Sequence, residues 1–389
     1  MTLTRFAWRN MLRNPRRTLL TVASIAFSLF LLATLINVVI LLEGPTTDDS
    51  HLRLAVRRAT SLADPVPASY EAKIRAVPGV RYVTPFTWFQ GVRGGDEQAT
   101  FFGNFAVDPG VLLDMFQELV LPREQRDAFV REKQAAIVGK ITADQFGWKL
   151  GDRVFLVSQI WFTPEGTPAE VELIIRGIFT TTVAGHDANL FFHHDLFDEA
   201  IGRAGLVGTY WVKVNSMAES PIVAASIDQM FRNTSAETKT ETEKAFAETF
   251  QSMMGNVKTL FGSISAIVVL TILLVVSSTM AMSIRERTSE IAVLKTLGFR
   301  RNTILALLVG EGIAIAFTGG VTGMALGWLF FASVDLSKAT NGMIPYFQLN
   351  GTVIGIALVA SVCIGFLSAV VPATIASRQS VLSGLKQTT

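Results

Sequence analysis

Side chains suited to chemistry are thinly spread in this sequence. His186, His193 and His194 stand near Asp195, and imidazole with carboxylate is a zinc-binding combination. Adjacent side chains on an extended segment point to opposite faces, so His193 and His194 would not meet one ion. The single cysteine, Cys363, lies in an apolar run and excludes both an internal disulfide framework and a Cys-rich metal site. No local pattern supplies a nucleophile, base and orienting group for hydrolysis. No G-x-x-x-x-G-K-[ST] phosphate loop occurs either. The sequence predicts no catalytic centre, metal site or cofactor site in this chain.

What remains is charge next to apolar runs. Ser283–Arg301 reads SIRERTSEIAVLKTLGFRR. Ile284, Ile291, Leu294 and Leu297 share one helical side, and Gly298 is placed as a C-terminal cap. Arg285, Glu286, Arg287, Glu290 and Lys295 are polar and available to a partner. Further on, Glu311 is an acid well inside an apolar helix, where charge marks a function or a paired partner. It lies two to three turns from Arg301, so pairing with an arginine near the cytoplasmic interface is expected.

The elements that carry these groups follow from composition. Charged residues make up 17% of the chain, against about 25% in a soluble domain, which points to a membrane protein. Uncharged runs predict helices at 17–43, 259–284, 303–334 and 351–376. A bilayer core needs about 20 residues and full internal hydrogen bonding, hence four spans. The first run is too long for a signal-peptide core of about 7–15 residues, and no small-x-small cleavage site follows. Arg5, Arg9, Arg13, Arg16 and Arg17 precede the first span, Arg285 to Arg301 connect the second and third, and Arg378 and Lys386 follow the fourth. This excess puts both termini and the 285–302 loop in the cytoplasm and residues 44 to about 255 outside. In 1–16 the arginines share a face opposite Leu3, Ala7, Trp8 and Met11, which suits an interfacial helix. The net charge of +2, without a long basic run, suggests no nucleic-acid partner.

The outer segment, 44–240, reads as α+β. Strands are expected at His51–Thr60, Val80–Gln90, Ala99–Val107 and Thr209–Asn215, with helices at Pro67–Val77 and Pro221–Phe231. That order is the ferredoxin-like split β-α-β motif, interrupted by an insertion at about 110–206. The insertion should hold helices near Val111–Phe116, Arg123–Lys133 and Ile141–Phe146, and strands at Ala135–Val138, Arg153–Gln159 and Val171–Phe179. Phe246, Phe250, Met253, Val257, Leu260 and Ile264 then recur at alternating spacings of four and three, a heptad seam. A continuous stalk helix over 241–258 running into the second span is expected. Gly319, Gly323 and Gly327 form overlapping G-x-x-x-G steps in the third span, a close-packing stripe for a helix the sequence does not choose.

At the 283–301 loop the chain resembles the MacB/FtsX-type (type VII) ABC transporter permease family. The family pattern E-R-x-x-E-I-x-x-L-K-x-L-G is met by Glu286, Arg287, Glu290, Ile291, Leu294, Lys295, Leu297 and Gly298. The opening WRNMLRNPRRTLLT, the segment IRAVPGVRYVTP and the ending PATIASRQSVLSGLK are similar to the family as well. Val381 stands where the family usually has proline, Gly384 where it has alanine, and Ser24 and Ser28 where glycines are common. The resemblance implies a permease subunit in the bacterial cytoplasmic (inner) membrane. It implies a second permease subunit, identical or homologous, and two copies of an ABC ATPase subunit that bind ATP and Mg. Residues 285–297 would be the coupling helix that docks on the ATPase. Hydrolysis would move the outer domains and so export or extract a hydrophobic compound, peptide, lipid or lipoprotein, with a periplasmic adaptor as a further partner. The alternative it leaves open is a non-transporting mechanotransmitter that activates an outer partner such as a cell-wall hydrolase.

Overall fold

A computed structural model describes residues 15–43, 48–94, 100–181, 186–253, 257–334, 336, 347 and 349–378. In chain order the helices are α1 (Pro15–Glu43), α2 (Tyr70–Arg75), α3 (Pro109–Met115), α4 (Arg123–Arg131), α5 (Lys140–Phe146), α6 (His194–Ala200), α7 (Ser220–Met230), α8 (Glu243–Met253), α9 (Val257–Glu286), α10 (Thr288–Thr296), α11 (Arg301–Ser333) and α12 (Gly351–Arg378). The strands are β1 (Arg53–Arg58), β2 (Val66–Pro67), β3 (Val80–Trp88), β4 (Gly91–Arg93), β5 (Gly103–Val107), β6 (Leu119–Val120), β7 (Ala135–Gly139), β8 (Arg153–Phe162), β9 (Pro168–Thr181), β10 (Asn189–His193), β11 (Leu206–Val207), β12 (Thr209–Val214) and β13 (Thr238–Thr242). The chain divides into a helical unit and an α/β unit, the latter built from Glu43–Gly255 and Asp335–Phe347.

In the helical unit, α1, α9, α11 and α12 are long and apolar enough to cross a membrane. Proline opens α1, where its missing amide costs nothing. Apart from its last two residues, which belong to α1, the interfacial helix expected over 1–16 lies outside the described residues. The apolar window of α11 is 50% buried and that of α9 only 11%, so α11 is central and α9 peripheral. Glycines set how closely α11 approaches its neighbours. A Cβ on Gly319 would stand 2.6 Å from Ile25, one on Gly327 2.8 Å from Phe30, and one on Gly323 would strike the backbone at Ala26. The partner helix of the glycine stripe is therefore α1. On another side, a Cβ on Gly312 would meet Ala369 at 2.6 Å and one on Gly365 would meet Ala316 at 2.8 Å, which closes α11 on α12.

The α/β unit carries one large sheet in the order β13-β1-β12-β3-β5-β10-β7-β9-β8-β4. Its first four strands pair antiparallel and, with α2 and α7, complete the ferredoxin-like motif. Leu54, Val56, Val83, Tyr210 and Val212 on one face bury Tyr70 and Ile74 of α2 and Val223 and Ile227 of α7. The inserted segment extends the same sheet: β10 joins β5 in parallel, and β7, β9 and β8 follow.

Two expectations for this unit need correction. Residues 241 and 242 close the sheet as the end of β13 instead of starting a stalk. The motif needs a fourth strand, and threonine at alternate positions suits an edge strand. His193 ends β10 while His194 opens α6, so the pair does not lie on one extended segment. Residues 254–256, on which continuity of the stalk depends, lie outside the described residues.

Candidate functional site

The segment between α9 and α11 is a short helix held between two breaks. Helix α9 stops at Glu286; Arg287 leaves helical geometry at φ −111°, ψ 15°, and α10 restarts at Thr288. The far end is closed by Gly298 in the left-handed region at φ +84°. Gly298 N–H donates to Lys295 O and Phe299 N–H to Leu294 O, both at 3.1 Å. This is the Schellman pattern, and glycine adopts the required φ without a Cβ penalty. Nine residues are too few for an isolated helix in water. Helix α10 is held by its neighbours: Ile291 and Ala292 are buried, and Leu294 packs on the core that Ile284 and Ile291 share with α11 and α12.

Electrostatics fix the same face. Arg287 Nη1 donates to both carboxylate oxygens of Glu311, at 3.0 and 2.8 Å, with side-chain exposures of 13% and 4%. Glu311 sits ten residues into α11, roughly 15 Å along its axis. Lys295 Nζ donates to Ala376 O on α12 at 3.4 Å, and Arg301 Nε to Ser377 Oγ at 3.3 Å. Partial burial, then the charge of Arg301, lower the Lys295 pKa. Arg287, Ile291 and Lys295, four residues apart, all face the bundle.

Of the residues expected to meet a partner, Ile291 is buried, Leu294 is half-buried and Arg287 is engaged with Glu311. The exposed side instead presents Arg285 and Glu286 with Val293, Leu297 and Phe299, Leu297 being 70% exposed. Leu297 was expected beside Ile291. It donates the last helical N–H, to Val293 O at 3.0 Å, and six residues at about 100° each set it roughly 120° round the helix from Ile291, away from the buried side. The signal for this strip was present in the apolar residues around the cap, which the heptad-like spacing of Ile284, Ile291 and Leu294 obscured.

The other candidates are used within their own units. Phe246 packs edge-on against Trp211 at 5.8 Å, and Phe250 stands 6.1 Å from Trp88, so the start of the heptad seam lies on its own sheet. Leu260 and Ile264 are exposed in the helical unit; the Met253 and Val257 side chains lie outside the described residues. His193 Nε2 bonds to Phe129 O, and burial lowers the pKa of both His193 and His194. No metal-binding group of three or more such residues occurs among the described residues.

Sequence reasoning missed one constellation altogether. Arg53, fully buried, donates to Glu243 Oε2 at 2.7 Å, pairs with Glu118 at 2.9 Å and lies 4.6 Å over the Phe116 ring. Arg57 pairs with Glu241 at 2.7 Å. Arginines alternating with Ala55 along β1 mark one sheet face, and the acids two residues apart around β13 were the available signal.

Two family models match the chain. The MacB-like periplasmic core domain model matches residues 18–230, and the FtsX-like permease C-terminal model matches 262–381. The chain belongs to the MacB/FtsX-type family of ABC transporter permeases. An ABC transporter permease of Methanocaldococcus jannaschii is 22% identical over 400 residues, 98% of this chain and 96% of that protein. The macrolide export ATP-binding/permease protein MacB of Bordetella avium is 31% identical over 125 residues, 31% of this chain but only 19% of its own length. The permease YknZ of Bacillus subtilis is 29% identical over 128 residues, 33% of this chain and 31% of its own length. The periplasmic region of MacB from Actinobacillus actinomycetemcomitans covers 53% of this chain and 93% of its own, at 12% identity and a TM-score of 0.37. In this permease, the segment between α9 and α11 lies within the FtsX-like match.

Proposed function

We propose that this permease couples ATP hydrolysis on a separate ABC ATPase subunit to movement of its α/β unit across the membrane, exporting or extracting a hydrophobic compound, peptide, lipid or lipoprotein. The observation that carries the proposal is the two-sided α10 segment. One side is tied into the bundle through Arg287, Ile291 and Lys295, and the other offers Val293, Leu297 and Phe299 between charged neighbours. An apolar centre with a polar rim is the usual anatomy of a protein contact. The lysine and arginine excess assigns this loop and both termini to the cytoplasm, where an ATPase would dock. ATP and Mg would be held by that partner, because this chain has no phosphate loop.

Two ATPase copies and a second permease chain complete the proposed assembly, in the bacterial cytoplasmic membrane. The sparsely covered surface of α9 suits lipid or the second chain. Exposed Phe101, Phe155 and Phe162 in the α/β unit suit a hydrophobic cargo. Purification from the native host and identification of the associated proteins tests the proposal. An ABC ATPase in stoichiometric amount supports it, and its absence contradicts it. Recovery of a cell-wall hydrolase in place of an adaptor would favour mechanotransmission without cargo.

A further inference from the structure

We propose that Arg287 is a positioning residue that acts through Glu311: it pins α10 to the α11–α12 pair and makes no contact with the ATPase. The inference rests on the coupling function proposed above and adds which helices receive the load.

Three observations carry it. First, helical geometry is interrupted at Arg287, so α10 is not a straight continuation of α9. Its direction must be fixed by side chains instead of by a continuous helical backbone. Second, the Arg287 guanidinium is turned inward, and one nitrogen reaches both oxygens of a carboxylate that is almost wholly buried. A buried acid in a bundle is costly unless paired, and losing one partner leaves an uncompensated charge. The pair therefore holds α10 close to α11. Third, Lys295 ties the other end of α10 to Ala376 of α12. Helices α11 and α12 in turn meet at glycines with no room for a Cβ, at Gly312 against Ala369 and Gly365 against Ala316. A force applied at Leu297 and Phe299 is thus delivered to α11 and α12 as one body.

Cys363, the single cysteine, is exposed on α12 and serves as a native labelling site. The full complex, assembled with a cysteine-free ATPase, is spin-labelled there, and the spectral change on adding ATP and Mg is recorded beside the amount of bound ATPase. The variants are Arg287→Gln, Glu311→Gln, the double replacement and the charge exchange Arg287→Glu with Glu311→Arg. Either single change should reduce the ATP-dependent signal at least threefold while bound ATPase stays within about twofold of the parent. The double change should be no worse than the more damaging single one, as expected of two residues acting as a unit, and the exchange should restore at least half the signal. A role confined to folding would lower yield without removing the ATP response of the molecules that fold. A normal response in Glu311→Gln, together with loss of bound ATPase in Arg287→Gln, would mean that Arg287 touches the ATPase and would overturn the inference. So would an unmodified complex whose ATPase binds but whose Cys363 probe does not respond. Absence of any ATPase from the unmodified preparation would overturn the proposed function and this inference together.

Discussion

In the helical unit, α11 meets α1 through Gly319, Gly323 and Gly327, where the lack of side chains brings backbones together. In the α/β unit, Phe86 stands 5.7 Å from Trp211, 6.1 Å from Phe116 and 6.1 Å from Phe191, filling space with interlocking rings. The difference follows the solvent. Lipid gives two apolar helices no hydrophobic reason to associate, so close backbone approach has to supply dispersion contacts. Water drives aromatic bulk inward at about 25 cal/mol per Å² of apolar surface buried. Both units nevertheless tie a helix start with an arginine–glutamate pair: fully buried Arg53 with Glu243 at the start of α8, and partly buried Arg287, just before α10, with buried Glu311. Paired charge fixes a direction that apolar packing alone would leave adjustable.

The sharpest break of this comparison is Arg53→Met. Glu118 and Glu243 would keep their burial and lose their shared cation, at a cost of about 3–5 kcal/mol. Denaturant unfolding followed by tryptophan fluorescence measures it, with Trp211 close by as a reporter. A loss below about 1 kcal/mol would mean that water, or Lys213 opposite Arg53 on β12, compensates these carboxylates. In the helical unit, Gly323→Leu should separate α11 from α1 and cost about 1–3 kcal/mol by overpacking. Thermal melting in detergent reads that effect, and an unchanged melting temperature would remove α1 as the stripe's partner.

Smaller effects separate buried from exposed charge within the α/β unit. Because burial lowers His193 and His194, the unfolded chain takes up protons that the folded unit refuses as pH falls below about 6.5. Their contribution is fully present above that value and declines as pH drops toward the lowered folded pKa values. Melting at pH 7.5 and 5.5, compared with a His193→Gln, His194→Gln variant, should show a shallower slope in the variant; equal slopes would contradict the assignment. Smallest of all, Arg153→Ala removes an exposed pair with Glu172, 73% and 45% accessible, and should change stability by no more than about 0.5 kcal/mol.

Much of this fold was legible because local pattern sufficed. Val80–Trp88, Thr209–Val214 and the four long helices lie close to where residue type and apolar run length put them. Edge strand β13 was not legible, since Thr-Lys-Thr-Glu-Thr has no apolar face and its pairing with β1 is decided by the rest of the sheet. The single continuous sheet was hidden for a similar reason: β5 and β10 pair in parallel across more than eighty residues of sequence. For the proposed coupling segment, the sequence showed the helix and its glycine cap but not which way it faces. Arg287 turns inward because Glu311 waits 24 residues further on, and Leu297 turns outward because it stands roughly 120° round the helix from buried Ile291. Polarity alone would have put both the other way round.

The proposed outward strip is tested most directly by Leu297→Asp. A carboxylate there should leave the bundle intact, since the side chain is 70% exposed, but place charge at the centre of the proposed contact. Co-purified ABC ATPase per permease should fall at least tenfold while the variant remains in the membrane at normal abundance. Retention of the ATPase at parental levels would contradict docking at this face.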